Sequence, residues 1–288
     1  MNDMMLMALT DPAGAPAHPL IFLVLGVVTF ALHLTAVNVM LGTLGLAAWG
    51  AFSKNPYWQR LAGALGTTAK VAVSVAIVLG VAPLLFVQVI YDPFWYTSNV
   101  ISAWWLLGFL AILTVAYLAL YRFYGLNHRY EADGRPVHLE GAPKGGVWLA
   151  GSLVLMLVCG LIMHAVVNQS LLPAEWMNWY APNGEIEPYG RSLHSVTPAR
   201  LLFFLLSLPV TAGWLFGMRR YLLSSGETDY GYVDFIEGLA HGMARVGSVL
   251  VLLAGAGVLI HRSGLRETGI PLESGGISYA ASAPSAEE

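Results

Sequence analysis

Six long apolar stretches dominate this sequence of 288 residues and limit the folds open to it. A helix that crosses a bilayer needs about 20 predominantly apolar residues. Inside a bilayer the backbone groups must pair with one another, so such stretches form helices there. The sequence therefore predicts an all-α integral membrane bundle with six transmembrane helices. The stretches cover residues 19–51, 58–91, 101–124, 147–171, 199–222 and 235–261.

Composition agrees with this fold class and argues against several functions. The chain is 57% hydrophobic and only 11% charged, with a mean hydropathy of +0.64, which is typical of a membrane protein. A net charge of -3 gives no sign of nucleic-acid binding. One cysteine, Cys159, allows neither a disulfide framework nor a CxxCH site for covalent haem. Any haem would therefore be held non-covalently.

The segments between the apolar stretches are too short for a soluble domain. We expect residues 1–262 to form a single six-helix membrane domain that begins with a tail over residues 1–18. That tail has no Lys or Arg, and its apolar run is too short for a signal-peptide core, which indicates a retained segment. Residues 263–288 are rich in Gly, Ser and Ala and are predicted to form an extended tail.

Positive charge is distributed unequally between the two sides. The first, third and fifth connections carry most of it, on Lys54, Arg60, Arg122, Arg129, Arg135, Lys144, Arg219 and Arg220. The other side carries fewer basic residues, namely Arg191, Arg200, Arg262 and Arg266. Because loops rich in Lys and Arg stay in the cytoplasm, both termini are predicted on the outer, periplasmic side. We expect a multi-pass protein of a bacterial inner membrane.

Two histidines, His33 and His164, lie inside apolar stretches without an acidic neighbour. An ionisable side chain at bilayer depth is costly and usually functional, and imidazole is a common axial ligand of haem iron. Gly26 precedes His33 by two turns and Gly160 precedes His164 by one, which would give a flat macrocycle room. Both histidines are therefore candidate haem ligands. The alternative is that each hydrogen-bonds a neighbouring helix.

Four further residues are secondary candidates for the same site. His18, His194 and His261 fall on the predicted outer side, where they either contact a haem or simply lie at the membrane interface. Gln88 lies in the outer third of the second stretch, and a buried amide needs a hydrogen-bond partner. That partner would be another helix, a quinone carbonyl or a haem substituent. Lys70 is expected to extend towards the cytoplasmic interface.

A resemblance follows from four segments taken in order. They are ALHLTAVNVMLG, GVAPLLFVQVIYDPFWYTSNVI, MHAVVNQSLLPAEWMNWYAPNG and TPARLLFFLLSLPVTAGWLFGMRRYLL. Together they resemble the N-terminal part of subunit I of the cytochrome bd-type quinol oxidases, over residues 19–262. The resemblance implies that His33 is a haem-ligating histidine and that Arg200 is the basic residue just ahead of a second haem histidine. Asn168 also aligns with the corresponding position of that family.

Two positions depart from that family. Gln88 stands where the family has a haem-site glutamate, and Phe203 stands where it has the second haem histidine. The six helices also lack the family's long quinol-binding loop and the later residues of its oxygen site. A complete oxygen reductase is therefore not expected. His164, which has no counterpart in the family, is a candidate replacement ligand.

The resemblance implies a haem-b-binding subunit of a respiratory, quinol-linked oxidoreductase, with one or two haems. Such a subunit would pass electrons between the quinone pool and an outer-face redox partner, such as a multihaem cytochrome. The aromatic outer loop over residues 172–198 would bind that partner, and Arg200 would pair with a haem propionate or anchor the interface. The alternative is a cofactor-free anchor or assembly subunit that kept the fold. A transporter is disfavoured because the helices show no intramembrane acid and no inverted repeat.

Overall fold

The structure is a computed structural model and describes residues 17–131, 136–138, 141–196 and 201–267. Its described residues are predominantly helical. The α-helices are α1 (Pro19–Phe52), α2 (Pro56–Ile90), α3 (Asp92–Ile101), α4 (Ala103–Asn127), α5 (Gly146–Ser170), α6 (Trp176–Tyr180), α7 (Ser207–Ser224) and α8 (Tyr230–Glu267). Short 3-10 helices cover Pro173–Glu175, Pro182–Gly184 and Leu202–Leu206. Strands β1 (His128–Tyr130) and β2 (Pro136–His138) pair antiparallel, with His128 opposite His138.

Five of these helices are long and apolar enough to cross a membrane. They are α1, α2, α4, α5 and the part of α8 over Tyr230–Gly257. The prediction of an all-α, multi-pass membrane protein is thereby confirmed at this level. The stretch predicted at residues 199–222 contains the 3-10 helix Leu202–Leu206 followed by α7, which is not among the five. A sixth crossing and the side of each terminus stay predictions.

Proline and polar caps explain where the first two helices begin. Pro19 and Pro56 occupy the first helical turn, where a missing N–H removes no helical hydrogen bond. The Nδ1 atom of His18 accepts a hydrogen bond from the Leu20 N–H at 3.2 Å, and Asn55 caps α2 in the same way. Only residues 53–55 then separate α1 from α2, so the two helices form an antiparallel hairpin.

The two ends of the bundle differ in construction. The hairpin end carries the α1–α2 turn, the β1–β2 hairpin and the connection over residues 225–229. The cap end carries α3 and the irregular segment over residues 171–196. Buried apolar clusters lie towards both ends, and at the cap end they include the pair Ile101 and Trp176. The largest lies in the hairpin half and includes Leu44, Leu61, Leu65, Leu120, Leu149, Leu215 and Ile236, all of them fully buried. Another surrounds Trp95, Ile162 and Val166 near the cap end.

Ionic contacts at the hairpin end hold the α7–α8 connection against α2. The guanidinium of Arg60 pairs with Glu227 and Asp229 and also lies 4.0 Å from the centre of the Tyr232 ring. The backbone N–H of Asp229, together with Arg60, lowers the pKa of Glu227. These contacts are partly exposed, so they contribute to the position of the connection more than to stability.

Close packing of α1 against α7 yields a first prediction. A Cβ atom added at Gly42 would overlap the Oγ1 atom of Thr211, whereas one added at Gly45 would meet no atom within 4 Å. Replacing Gly42 by alanine should force the two helices apart and lower the free energy of unfolding by about 1–3 kcal/mol. Thermal unfolding of the purified protein measures this. Gly45→Ala is the matched control, and equal melting temperatures for the two variants would contradict the packing.

Candidate functional site

His33 lies half-buried in α1, where it contacts α2. Its Nδ1 atom is 2.9 Å from the carbonyl oxygen of Ala76. A carbonyl oxygen only accepts hydrogen bonds, so Nδ1 carries the proton and Nε2 keeps its lone pair. A backbone carbonyl that fixes one ring nitrogen while the other stays available to a metal is the usual arrangement around ligating histidines. The geometry of His33 is therefore suited to metal ligation through Nε2.

Space for this imidazole comes from Gly80 on α2. A Cβ atom at position 80 would lie 2.9 Å from Cε1 and 3.0 Å from Nδ1 of His33, so a larger residue would displace the ring. Gly26, which the sequence suggested for this role, packs instead against Phe86. Gly160, suggested for His164, faces the ring of Phe204. Spacing along one helix could not identify Gly80, because the contact lies between helices.

The described residues do not fill the membrane-facing side next to His33. The first half of α1 contacts α2 through Phe22 and Gly26, which pack against Phe86. Most other apolar side chains from Leu20 to Leu32 are at least 40% exposed. Among them, Phe30 lies one turn before His33, with the two ring centres 6.4 Å apart. Lipid, a cofactor or a partner helix therefore has access to the region beside His33.

His164 is half-buried in α5 and is held differently. The Nδ2 atom of Asn168 lies 2.8 Å from Nε2 of His164 and 3.1 Å from the carbonyl oxygen of Ser195. Because an amide nitrogen only donates, Nε2 of His164 acts as the acceptor. This lone pair is engaged within the protein, which favours the hydrogen-bonding alternative for His164. Ligation of iron through Nε2 would require Asn168 to turn away.

His33 and His164 nevertheless lie at a similar level in the bundle. Gly146, at the start of α5, packs against Ala51 at the end of α1, since a Cβ added at Gly146 would lie 2.9 Å from the Cβ of Ala51. His33 precedes Ala51 by 18 residues, and His164 follows Gly146 by 18 residues. With a helical rise of 1.5 Å per residue, both lie about 27 Å from the contact. The antiparallel helices thus bring the two histidines to one depth.

The remaining candidate histidines have separate positions. His18 is exposed and caps α1. His194 is exposed at the cap end and stacks on Trp179, with ring centres 5.6 Å apart. The backbone of His261 belongs to α8, and its side chain lies outside the described residues. The structure does not bring His18 or His194 into contact with His33.

Gln88 and Arg200 are the other two residues that the sequence suggested for a haem site. Gln88 is half-buried near the cap end of α2, and no hydrogen bond joins its amide to another described side chain. Arg200 lies outside the described residues. Within the described ranges, no three His, Cys, Asp or Glu side chains gather into a site for a metal ion.

A buried polar network at the cap end was not predicted from the sequence. Gln169 is fully buried; its Nε2 atom donates to Ser102 Oγ at 2.7 Å, and its Oε1 atom accepts from the His194 N–H at 2.9 Å. Its backbone carbonyl accepts from Trp176 Nε1 at 2.8 Å, and Ser102 Oγ donates to the Ser192 carbonyl at 2.8 Å. These bonds fasten the segment over residues 171–196 to α5. The sequence does contain an indication of this network, because three consecutive polar residues, Asn-Gln-Ser over 168–170, end the apolar stretch.

An apolar groove lies nearer the hairpin end, between α1, α5, α7 and α8. Its volume is about 260 Å³, slightly below the usual range of 300–1,000 Å³ for small-molecule pockets. The groove is lined by Leu41, Gly42, Gly45, Leu46, Leu153, Leu157, Phe204, Ser207, Leu208 and Met243. Leu157 precedes His164 by two helical turns, and Leu41 follows His33 by about two. Neither histidine lines the groove, so it does not form a haem pocket with them.

Fold and site together define a multi-pass helical membrane protein with two intramembrane histidines at one depth. Comparisons of the chain with family models, with curated proteins and with solved structures found no match. Its function must therefore be argued from the residues themselves.

Proposed function

We propose that this chain is a haem-b-binding membrane subunit of a respiratory electron-transfer complex. The observation that carries the proposal is the geometry of His33. Its Nδ1–H is held by the Ala76 carbonyl and its Nε2 lone pair is available, in a helix that lacks acidic residues along its whole length. Because its own helix offers no carboxylate, axial ligation of haem iron explains this histidine better than a proton relay does.

The residues present fit one haem more readily than two. His33 would supply an axial ligand, and Gly80 keeps its imidazole in position. His164 would supply a second ligand only after Asn168 releases it, and Arg200 would pair with a propionate. The haem, when bound, supplies one-electron transfer. The chain's own contribution is to orient His33 and, through its apolar helices, to keep water away from the iron.

The exposed half of α1 supports the view that this subunit works within a larger complex. A partner helix covering the face beside His33 would complete a haem slot there. At the cap end, Ile186 and Tyr189 are 63% and 65% exposed, and Glu185 and Glu187 lie close to them in the chain. An outer-face cytochrome would dock on this aromatic and acidic surface. Electrons would then pass between it and the quinone pool.

The proposed topology has six crossings, with the hairpin end in the cytoplasm. Phe204 packs against Gly160 of α5, about 21 Å above the start of that helix, and Ser224 ends α7 at the hairpin end. The chain from residue 201 to 224 therefore extends through much of the bundle's depth. This favours a sixth crossing composed of the 3-10 helix and α7. The inner membrane of a bacterium, with both termini in the periplasm, is the location that we propose.

A difference spectrum tests the haem proposal directly. The purified, cofactor-replete protein should show a Soret and α-band change when dithionite reduces the air-oxidised sample. A pyridine haemochrome assay should identify haem b, at one or two per chain. No spectral change would contradict the proposal and would favour the cofactor-free anchor subunit.

The hydrogen bond between Asn168 and His164 is the observation that supports a cofactor-free anchor subunit as the second candidate function, because it engages the lone pair of His164.

A further inference from the structure

Lys70 is a cation inside the membrane-spanning part of α2, close to the hairpin end. Gly66, one turn earlier, packs against Phe123, since a Cβ at Gly66 would lie 2.6 Å from Cε1 of that ring. Phe123 precedes the end of α4 at Asn127 by four residues. The Cα atom of Lys70 therefore lies about 12 Å inside the end of α4. Its side chain is half-buried, and its ammonium lies 3.4 Å from the centre of the Tyr124 ring.

Three tyrosines and a serine lie on the two helices beside this ammonium. Tyr117, Tyr121 and Tyr124 share one face of α4, because they are four and three residues apart. Tyr117 Oη donates to Tyr121 Oη at 2.9 Å, and Ser74 Oγ of α2 lies 3.2 Å from Tyr117 Oη. The ammonium of Lys70 is also 5.4 Å from the centre of the Tyr121 ring. The interface between α2 and α4 thus combines one positive charge with several hydrogen-bonding hydroxyls.

Among the described residues, no carboxylate pairs with this charge. Neither α2 nor α4 contains an Asp or Glu residue. The ion pairs among the described residues involve Arg60, Arg219 and His241 as the cations, and none includes Lys70. Contact with aromatic rings compensates an ammonium only in part, by about 0.5–2 kcal/mol. A partly desolvated cation of this kind is stabilised further by an anion, and the anions abundant at this depth are lipid phosphates.

Among the described residues 120–131 the charged side chains are mostly basic, and exposed Glu131 is the acidic exception. Arg122 follows Tyr121 in α4 and is exposed. His128, at the start of β1, stacks on Tyr124 with ring centres 3.8 Å apart. Arg129 follows it in the chain. Basic side chains next to the membrane attract acidic headgroups by about 1 kcal/mol each. We propose that Lys70, with Ser74 and the tyrosine hydroxyls, binds the phosphate of an anionic phospholipid in the leaflet at the hairpin end.

Lipid titration of the full-length protein in detergent, followed by native mass spectrometry, tests the assignment. Phosphatidylglycerol and phosphatidylcholine with the same acyl chains are the two probes. The wild-type protein should bind phosphatidylglycerol more tightly. Lys70→Met should weaken that binding about fivefold, the effect expected for one basic residue, and should leave phosphatidylcholine binding unchanged. Lys70→Arg should keep the preference.

Lys54→Met is the matched control, because it removes one exposed positive charge at the same end of the bundle. An unchanged preference in Lys70→Met, or an equal loss in Lys54→Met, would overturn the proposal. If Lys70→Met does not fold, as judged by circular dichroism and gel filtration, Lys70→Gln takes its place in the same comparison. A separate experiment measures thermal stabilisation by inorganic phosphate in place of the lipid. Thermal stabilisation by phosphate that depends on Lys70 and matches that by phosphatidylglycerol would identify a site for soluble phosphate instead, and would overturn the lipid assignment.

Discussion

Replacing His33 by alanine is expected to remove at least one haem from the purified protein. The imidazole is fixed by the Ala76 carbonyl with its Nε2 lone pair available, and alanine offers no ligand in its place. The reduced-minus-oxidised spectrum should lose its α-band in full if the protein holds a single haem, or by about half if it holds two. The ratio of haem to protein, from the pyridine haemochrome assay, measures this loss.

His194→Ala is the matched control for that experiment. It removes an imidazole that is exposed at the cap end and stacks on Trp179, so the haem content should stay at the wild-type value. Gly80→Val adds a second test, because it displaces the His33 ring without removing the ligand. Its haem content should fall as well. A wild-type ratio of haem to protein in His33→Ala would exclude this residue as an axial ligand.

Replacing Gln169 by alanine is expected to loosen the cap end. The change removes the donor to the buried Ser102 Oγ, which still donates to the Ser192 carbonyl, and the acceptor of the partly buried His194 N–H. A buried polar group left without a partner costs about 1–3 kcal/mol. We expect a loss of about 2–4 kcal/mol in the free energy of unfolding, measured by thermal unfolding. Limited proteolysis should also cut the segment over residues 171–196 at least tenfold faster, because local opening of that segment becomes more frequent.

Asn178→Ala provides the comparison for this change. It also deletes an amide at the cap end, but Asn178 is exposed and bonds only Glu175 among the described side chains. Its effect should stay within about 0.5 kcal/mol. Similar proteolysis rates in the two variants would mean that Gln169 does not hold the segment. Haem content should be unchanged in both, because neither residue contacts His33.

Much of the bundle could be predicted from the sequence. An apolar stretch of sufficient length must satisfy its backbone internally, so the helices α1, α2, α4, α5 and α8 follow from local sequence. The ends of the first four agree within three residues, as for the first stretch, predicted at residues 19–51 and observed at Pro19–Phe52. The last helix, predicted at residues 235–261, is longer and covers Tyr230–Glu267. The short helix α3 and the division of residues 201–224 between a 3-10 helix and α7 were not predicted. The sixth crossing remains a prediction.

The candidate site was only partly accessible from the sequence. His33 and His164 could be found because an ionisable residue in an apolar stretch is conspicuous. The difference between their hydrogen-bond partners could not be found in this way, because it depends on which groups the folded chain brings to each ring. Ala76 reaches His33 from α2, whereas Asn168, on the same helix, engages His164. Gly80 also escaped detection, since the residue that makes room for His33 lies 47 positions further along the chain.

By itself, the sequence determined that this chain is a helical membrane protein, because hydrophobic length and backbone pairing depend only on neighbours along the chain. The tertiary structure decided how each polar side chain is used. It engages His164 with Asn168, leaves the Nε2 lone pair of His33 available, fastens the cap end through Gln169 and places Lys70 among tyrosines. The physical reason is that hydrogen bonds and cation–π contacts act over a few ångströms, between groups that only the packing of helices brings together.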